Sequence, residues 1–367
     1  MREFLISADS HVAEPVDLWS TALPASMRQE GPRVEMRDGA PCILVEDQVI
    51  RRFKSPGGKG MPLSESVTKQ QMGSLVSLGA VDPDARLKDL DRDGVWGEVM
   101  YPNLAFFCVH RMRRADLQAA TCRVYNDWIA DTFFQRSDRF CPVAILPVLD
   151  IEATVQELRR VSKRGFKAAL LPAHIDSRPY NDTAYEAVWR EAAACGMPLS
   201  FHAGTGRTQT PAHGPGGAIV NYVVTVSSPM ETIAYFCGSG VLERHPDLRI
   251  VIVECGSGWL AWALHAMDDI YHQHAMFVRP KLELLPSEYF RRQGGVTFQN
   301  DPVGFHNLKF TGDRCLLWGS DYPHPEGTWP QSREILARQL VDVPSSTADR
   351  ILLENAQELY GFSVPSV

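Results

Sequence analysis

The chain has 367 residues, 44% hydrophobic and 22% charged, the proportions of an ordinary soluble globular protein, and its length suits one barrel domain with insertions. A formal net charge of −7 argues against nucleic acid or an anionic membrane as a partner, and no apolar run approaches the roughly 18–20 residues of a membrane span. The N-terminal stretch MREFLISADSH has no long apolar core and no small-residue cleavage site, so no signal peptide is expected. The eight cysteines contain no CxxC pair and read as buried thiols of a reducing cytoplasm.

Eight short runs rich in Val, Ile, Leu, Ala and Phe read as strands buried on both faces, the pattern of a parallel sheet. The first is FLISAD (4–9). Residues 15–80 then break the alternation. Within them, PRVEMRDGAPCILVEDQVIRRF (32–53) turns at Asp38-Gly39 between two β-like runs, which signals a hairpin, and KSPGGKGMP (54–62) reads as a loop. This region is expected to be an insertion after the first strand, capping one end of the barrel. The remaining strands are WGEVMYP (96–102), PVAILPV (142–148), FKAALLPA (166–173), MPLSFHAG (197–204), LRIVIVEC (248–255), GVTFQND (295–301) and CLLWGSD (315–321).

Helical stretches separate most of these runs. Residues 116–136 and 182–196 show apolar spacing near 3.6, the second bounded by an Asn-Asp cap and by Gly196. The Gly/Pro-rich segment 205–222, after the fifth strand, is long enough to cover a pocket. Strands alternating with helices predict an α/β fold, a distorted (β/α)8 TIM barrel forming one domain over 1–367. An open doubly wound sheet is the competitor, but no GxGxxG follows the first strand.

Barrel enzymes carry their chemistry at the C-terminal ends of the strands. Asp9 and His11 stand there on the first strand, two apart and so pointing the same way. His174 follows the fourth strand, His202 ends the fifth, Glu254 the sixth, Asp301 the seventh and Asp321 the eighth. Asp9, His11, His202 and Asp321 together offer two imidazoles and two carboxylates to a divalent ion such as Zn, Mn or Fe, among which mixed N/O donors do not choose. Singly, each has an ordinary alternative: a strand-end aspartate often caps a helix, and an apolar-strand histidine is often a core residue. Their coincidence at one end of one barrel points to the metal.

Further candidates surround this set. Glu14 is a ligand or a cap, and His174 is placed to reach a substrate. Arg207 and His213, in the 205–222 loop, are partners for a substrate carboxylate. Asp301 suits an arginine or the substrate, and His324 is placed to orient a ligand. Tyr101, Phe106 and Phe107 suit a planar substrate or core packing. His245 precedes the sixth strand and so falls at the opposite end of the barrel. His272 and His274, two apart on a helix, face different sides and are no second metal site. Trp259, Trp262 and Met267 are expected against the barrel or a neighbouring subunit.

The stretches ADSHVAEPVDLW, SFHAGTG, GVLERHPDLRIVIVECGSGW and LLWGSDYPHPEGTWP resemble the amidohydrolase-related branch of the metal-dependent hydrolase superfamily. That branch includes aminocarboxymuconate-semialdehyde decarboxylase, and the similarity runs from residue 4 to about 361. The resemblance implies that Asp9 replaces the first residue of an HxH or ExH pair. It also implies that His202 and Asp321 are ligands and that Asp321 can accept a proton. The superfamily's bridging carboxylated lysine would sit where this chain reads Leu171-Pro172-Ala173-His174, so one ion is expected, zinc or manganese, with iron as a further option. Relatives form dimers, which implies a homodimer here. The chain departs from the pattern after PDLRIV: many relatives carry HxGG or HxGE, where this sequence has Glu254 and Ser257.

Glu254 in the histidine's place favours a metal-dependent hydrolase, in which activated water attacks an amide, lactone or activated C–C bond of a small carboxylated substrate, aromatic ones included. Asp321, Glu254 and His174 are its expected catalytic residues. The alternative is non-oxidative decarboxylation of the aminocarboxymuconate-semialdehyde or resorcylate type, with Asp321 or Glu254 as the acid; hydration is a third outcome of the branch. A metal-free binding protein on a degenerate barrel is the reading from another class, weakened by the intact His202 and Asp321.

Overall fold

The computed structural model describes residues 4–52, 77–175, 177–205 and 212–365. Strand β1 (Leu5–His11) is followed by a small antiparallel sheet of β2 (Arg33–Arg37), β3 (Ala40–Val45) and β4 (Gln48–Arg52). Then come β5 (Val95–Tyr101), β6 (Phe140–Ile145), β7 (Ala168–Pro172), β8 (Leu199–His202), β9 (Ile250–Val253), β10 (Gly294–Phe298) and β11 (Leu316–Trp318). Strands β1 and β5 to β11 form one parallel sheet in that order. Each of the eight apolar runs is thus a barrel strand. Every residue of β1, β6, β7, β8 and β9 is buried, because helices cover the outside and side chains fill the inside. Across the interior, Tyr101 Oη on β5 stands 2.9 Å from Ser200 Oγ on β8.

The sheet curls nearly into a closed barrel, and its edges meet where β1 and β11 end. The His11 N–H donates to the Tyr322 carbonyl at 2.6 Å, and the Asp321 N–H donates to the Asp9 carbonyl at 2.9 Å. One layer down, the Ser320 N–H donates to Ser7 Oγ at 2.8 Å. Gly319 permits this approach, since a Cβ there would lie 2.4 Å from Asp9 Cβ.

The helices follow their local signals. Helix α1 (Pro83–Asp93) starts at Asp82, which accepts the Ala85 N–H at 2.7 Å, and stops at Gly94, φ 71°. Helix α2 (Ala115–Ile129) begins as expected, but its last turn widens over Ala130–Phe134. Helix α3 (Glu186–Ala194) follows a turn capped by Asp182, which accepts the Ala184 N–H at 2.8 Å. Among the described residues no helix is long and apolar enough to cross a membrane.

The insertion carries one strand more than the hairpin read from the sequence. Asp38 and Gly39, at φ 48° and 75°, make the tight turn between β2 and β3. The loop expected over 54–62 lies outside the described residues. Glu46, between β3 and β4, fastens the insertion to the barrel: its carboxylate accepts the backbone N–H groups of Arg113 and Arg114 at 3.0 and 2.9 Å. Arg111 Nη1 donates to the Ile50 carbonyl at 3.2 Å. This docking carries Arg51 of β4 to the mouth of the barrel.

Candidate metal centre

Side chains from four strand ends form two overlapping groups at the C-terminal mouth: Asp9 and His11 on β1 with His202 on β8 and Glu254 just after β9, and His11 and Glu254 again with Asp321 and His324 just after β11. His11 Nε2 lies 3.3 Å from Glu254 Oε2, 3.3 Å from Asp321 Oδ1 and 3.7 Å from Asp9 Oδ1. His202 Nε2 lies 3.2 Å from Glu254 Oε2 and 3.7 Å from Asp9 Oδ1. All but Glu254 and His324 are buried.

The imidazole tautomers follow from their other nitrogens. His11 Nδ1 stands 3.1 Å from the Pro102 carbonyl, and His202 Nδ1 stands 2.9 Å from the Ala203 carbonyl. A carbonyl only accepts, so each Nδ1 carries the proton and each Nε2 turns a lone pair toward the centre. Both Nε2 atoms, Asp9 Oδ1 and Asp321 Oδ2 are buried without a hydrogen-bond partner. Four orphaned buried acceptors around His11 and Glu254 are unfavourable unless a cation sits among them. The titrating groups are strongly coupled: burial pushes the His11 imidazole down, but Asp321, Glu254 and Asp9 more than offset it and raise it, so with no ion present a proton on His11 takes the cation's place. Burial, then the charge of Asp321, pushes the Asp9 carboxyl up to about 7, and burial lowers His202 to about 4. Burial and Asp321 also raise Glu254. Burial pushes Asp321 up as well, but His11 and His324 more than offset it and hold its carboxyl well below the usual range. The donor set therefore fits a divalent ion with mixed N/O ligation.

Neighbours fix these groups in place. Gln299 Nε2 donates to Asp9 Oδ2 at 3.2 Å, leaving Oδ1 to face inward. His324 Nδ1 is 2.9 Å from Asp321 Oδ1, and its ring lies against that of His11 with centroids 4.2 Å apart. Glu254 and Asp321 have φ of 58° and 55°, the left-handed region that non-glycine residues seldom enter. Behind the seam, buried Arg86 of α1 pairs with Glu98 of β5, donates to the His11 carbonyl at 2.8 Å and covers the Tyr322 ring at 4.6 Å.

A cavity of about 1120 Å³ opens above the cluster. Its lining includes His11, Glu254, Asp321 and His324 below, Phe106 and Phe107 on one side, and Arg51. The Arg51 guanidinium lies 5.0 Å from the Phe107 ring centroid, and Phe106 meets the His202 ring edge-on at 4.6 Å.

The other residues singled out in the sequence lie elsewhere. Tyr101, considered for a planar substrate, is fully buried on Ser200, beneath the cavity rather than on it. His174 is not among the cavity's lining residues; its Nδ1 is 3.1 Å from Glu231 Oε2. His213 is exposed and outside the lining, and Arg207 lies outside the described residues. Glu14 caps a helix rather than facing the centre, accepting the N–H groups of Leu104 and Ala105 at 2.7 and 2.9 Å. Asp301 likewise accepts the N–H groups of Ser257 and Gly258 at 2.6 and 2.7 Å instead of an arginine. His245, at the far end, meets Glu186 at 2.7 Å. Sequence reasoning missed Arg51, Gln299 and Arg86. Gln299 ends a strand and was open to the strand-end rule; Arg51 and Arg86 carry no local signal.

A sequence model of the amidohydrolase family matches residues 80–362. The chain is 27% identical over 208 residues to the decarboxylase orsB of Emericella nidulans, covering 53% of this chain and 59% of that protein, less than two thirds of the relative's length. It is 24% identical over 296 residues to the 2-amino-3-carboxymuconate-6-semialdehyde decarboxylase of Dictyostelium discoideum, covering 76% of this chain and 77% of that one. In fold it is similar to an amidohydrolase from Mycobacterium avium subsp. paratuberculosis, with a TM-score of 0.77, 20% identity and 100% of both chains covered. It is similar too to a dihydroxybenzoic acid decarboxylase from Polaromonas sp., crystallised with manganese and an inhibitor (TM-score 0.65, 17% identity, 99% and 98% covered). The curated relatives favour the carboxy-lyase alternative over the hydrolysis expected from Glu254.

Proposed function

The chain belongs to the amidohydrolase family, and from that premise we propose that it is a metal-dependent, non-oxidative decarboxylase of a small planar carboxylic acid, an aromatic hydroxy acid or a conjugated enamine acid. The observation that carries this reading is the set of inward-facing, partnerless acceptors on Asp9, His11, His202 and Asp321 beneath a cavity walled by Phe106 and Phe107. Those four residues would hold one divalent ion, manganese by analogy with the dihydroxybenzoic acid decarboxylase, with zinc or iron as the alternatives. When bound, such an ion supplies Lewis-acid charge for the substrate's carboxylate and neighbouring oxygen.

The chain's own residues do the rest. Phe106 and Phe107 flank the substrate's plane, and Arg51 meets an acidic or hydroxyl group at its far end. The C–C bond to the carboxylate breaks, its electron pair stays on the carbon, and CO2 leaves. A proton replaces it at that carbon. With Oδ2 turned to the ion, Asp321 Oδ1 is the atom placed to relay the proton, taking it up only in passing because this carboxyl favours its ionised form. His324, bonded to Oδ1 and with a side chain 14% exposed, links Asp321 to solvent and supplies that proton. The same reading carries a homodimer, for which the exposed Trp262, Met276 and Phe277 supply apolar area.

The test is a substrate panel on metal-loaded protein in D2O. Hydroxybenzoic and carboxymuconate-type acids should release CO2 and gain one deuterium at the vacated carbon. Turnover of amides or lactones with no CO2 from any acid would return the assignment to a hydrolase.

A further inference from the structure

Resting on the metal-dependent reading above, we propose that Glu254 is itself a ligand of the bound ion, making the centre a shell of two imidazoles and three carboxylates rather than a four-residue shell with Glu254 as a free base. Three observations lead there. The first is spacing. Donors sharing one ion at about 2.0–2.2 Å, at angles of about 90–109°, stand roughly 2.8–3.6 Å apart. Glu254 Oε2 is 3.3 Å from His11 Nε2 and 3.2 Å from His202 Nε2, inside that window, whereas Asp9 Oδ1 is 3.7 Å from each.

The second is orientation. A backbone carbonyl takes up each Nδ1, so both Nε2 atoms are turned toward the same Glu254 oxygen, and neither Nε2 has a hydrogen-bond partner. The third is the backbone. Glu254 sits at φ 58°, a costly conformation for glutamate, and its N–H is held by Thr297 Oγ1 at 2.9 Å on the adjacent strand. Relaxing φ to an ordinary value would redirect the residue at the point where its carboxylate meets both imidazoles. The resulting oxygen-rich set suits hard ions such as Mn2+ better than Zn2+.

The experiment compares wild type, Glu254→Gln and Glu254→Asp, each first checked for native circular dichroism. Mn2+ affinity is measured by chelator competition, and bound Mn2+ by electron paramagnetic resonance. Both variants should bind Mn2+ at least tenfold more weakly, with an altered spectrum of the bound ion. A Glu254→Gln protein that binds Mn2+ within twofold of wild type, with an unchanged spectrum, overturns the proposal and makes Glu254 a base. Should neither variant fold, a crystal structure of Mn2+-loaded wild type decides: Glu254 Oε2 within about 2.3 Å of the ion supports ligation, and a gap above about 3 Å overturns it. Wild type that binds no divalent ion overturns the metal-dependent reading itself, a different failure from wild type that binds it without Glu254.

Discussion

Where β1 meets β11, each group facing the centre is buried and tied down, its neighbours bonded through main-chain atoms of Asp9, His11, Asp321 and Tyr322. On the far side of the cavity, the segment Gly217–Val223 leaves Ile219, Tyr222 and Val223 exposed by 71%, 66% and 67%, although Tyr222 also lines the cavity. The first region is set by sheet geometry and tolerates little change. The second is held by few contacts and can vary without disturbing the barrel. The contrast suggests that reaction type resides in the seam and substrate choice in the roof.

Substitutions can break or sharpen that contrast. The largest effect is expected at Asp321. Asp321→Asn keeps the shape but removes the proposed proton relay and one charged donor to the ion, so in protein with its metal content checked kcat should fall roughly 10²–10⁴-fold with native circular dichroism retained. A loss under tenfold would move proton delivery to another group. Arg86→Met comes next. It strands Glu98 in the core and frees the His11 carbonyl, which should cost about 3–5 kcal/mol in denaturant unfolding. A variant as stable as wild type would show that the seam does not depend on this pair.

Gly319→Ala places a methyl against Asp9 and should cost about 1–3 kcal/mol, with weaker metal binding in the same titration. Unchanged metal affinity there would mean that the seam can shift without moving its ligand. On the roof, Arg51→Met should raise KM about tenfold for an acid with a second polar group, with kcat nearly unchanged. A fall in kcat with constant KM would transfer Arg51 from the roof's role to the seam's. Tyr222→Ala should change KM no more than about threefold and leave unfolding unaltered, as for an exposed side chain; a large kcat effect would erase the distinction.

The same contrast explains what the sequence disclosed. Near-continuous apolar runs revealed all eight barrel strands, because a strand buried on both faces has no polar face to interrupt it. The DxH spacing and the strand-end positions of His202, Glu254 and Asp321 located the cluster, since period-two geometry converts position into direction. Distance across the sheet is invisible to such reasoning, so Arg86 and Glu98 stayed unpaired and Arg51 looked like any charge on a hairpin. His174 and Tyr101 illustrate the converse. They sit at strand ends too, but one pairs with Glu231 and the other fills the barrel, and only tertiary packing separates a strand end that opens upward from one that is covered.

The carbonyls of Pro102 and Ala203, which hold the two imidazole protons, belong to the main chain. No codon change at another position deletes such an acceptor, so random mutagenesis can strip this centre of donors one at a time but has no simple way to invert its histidines. Lineages descending from this chain are free to remodel what enters the pocket while inheriting the same orientation of nitrogen beneath it.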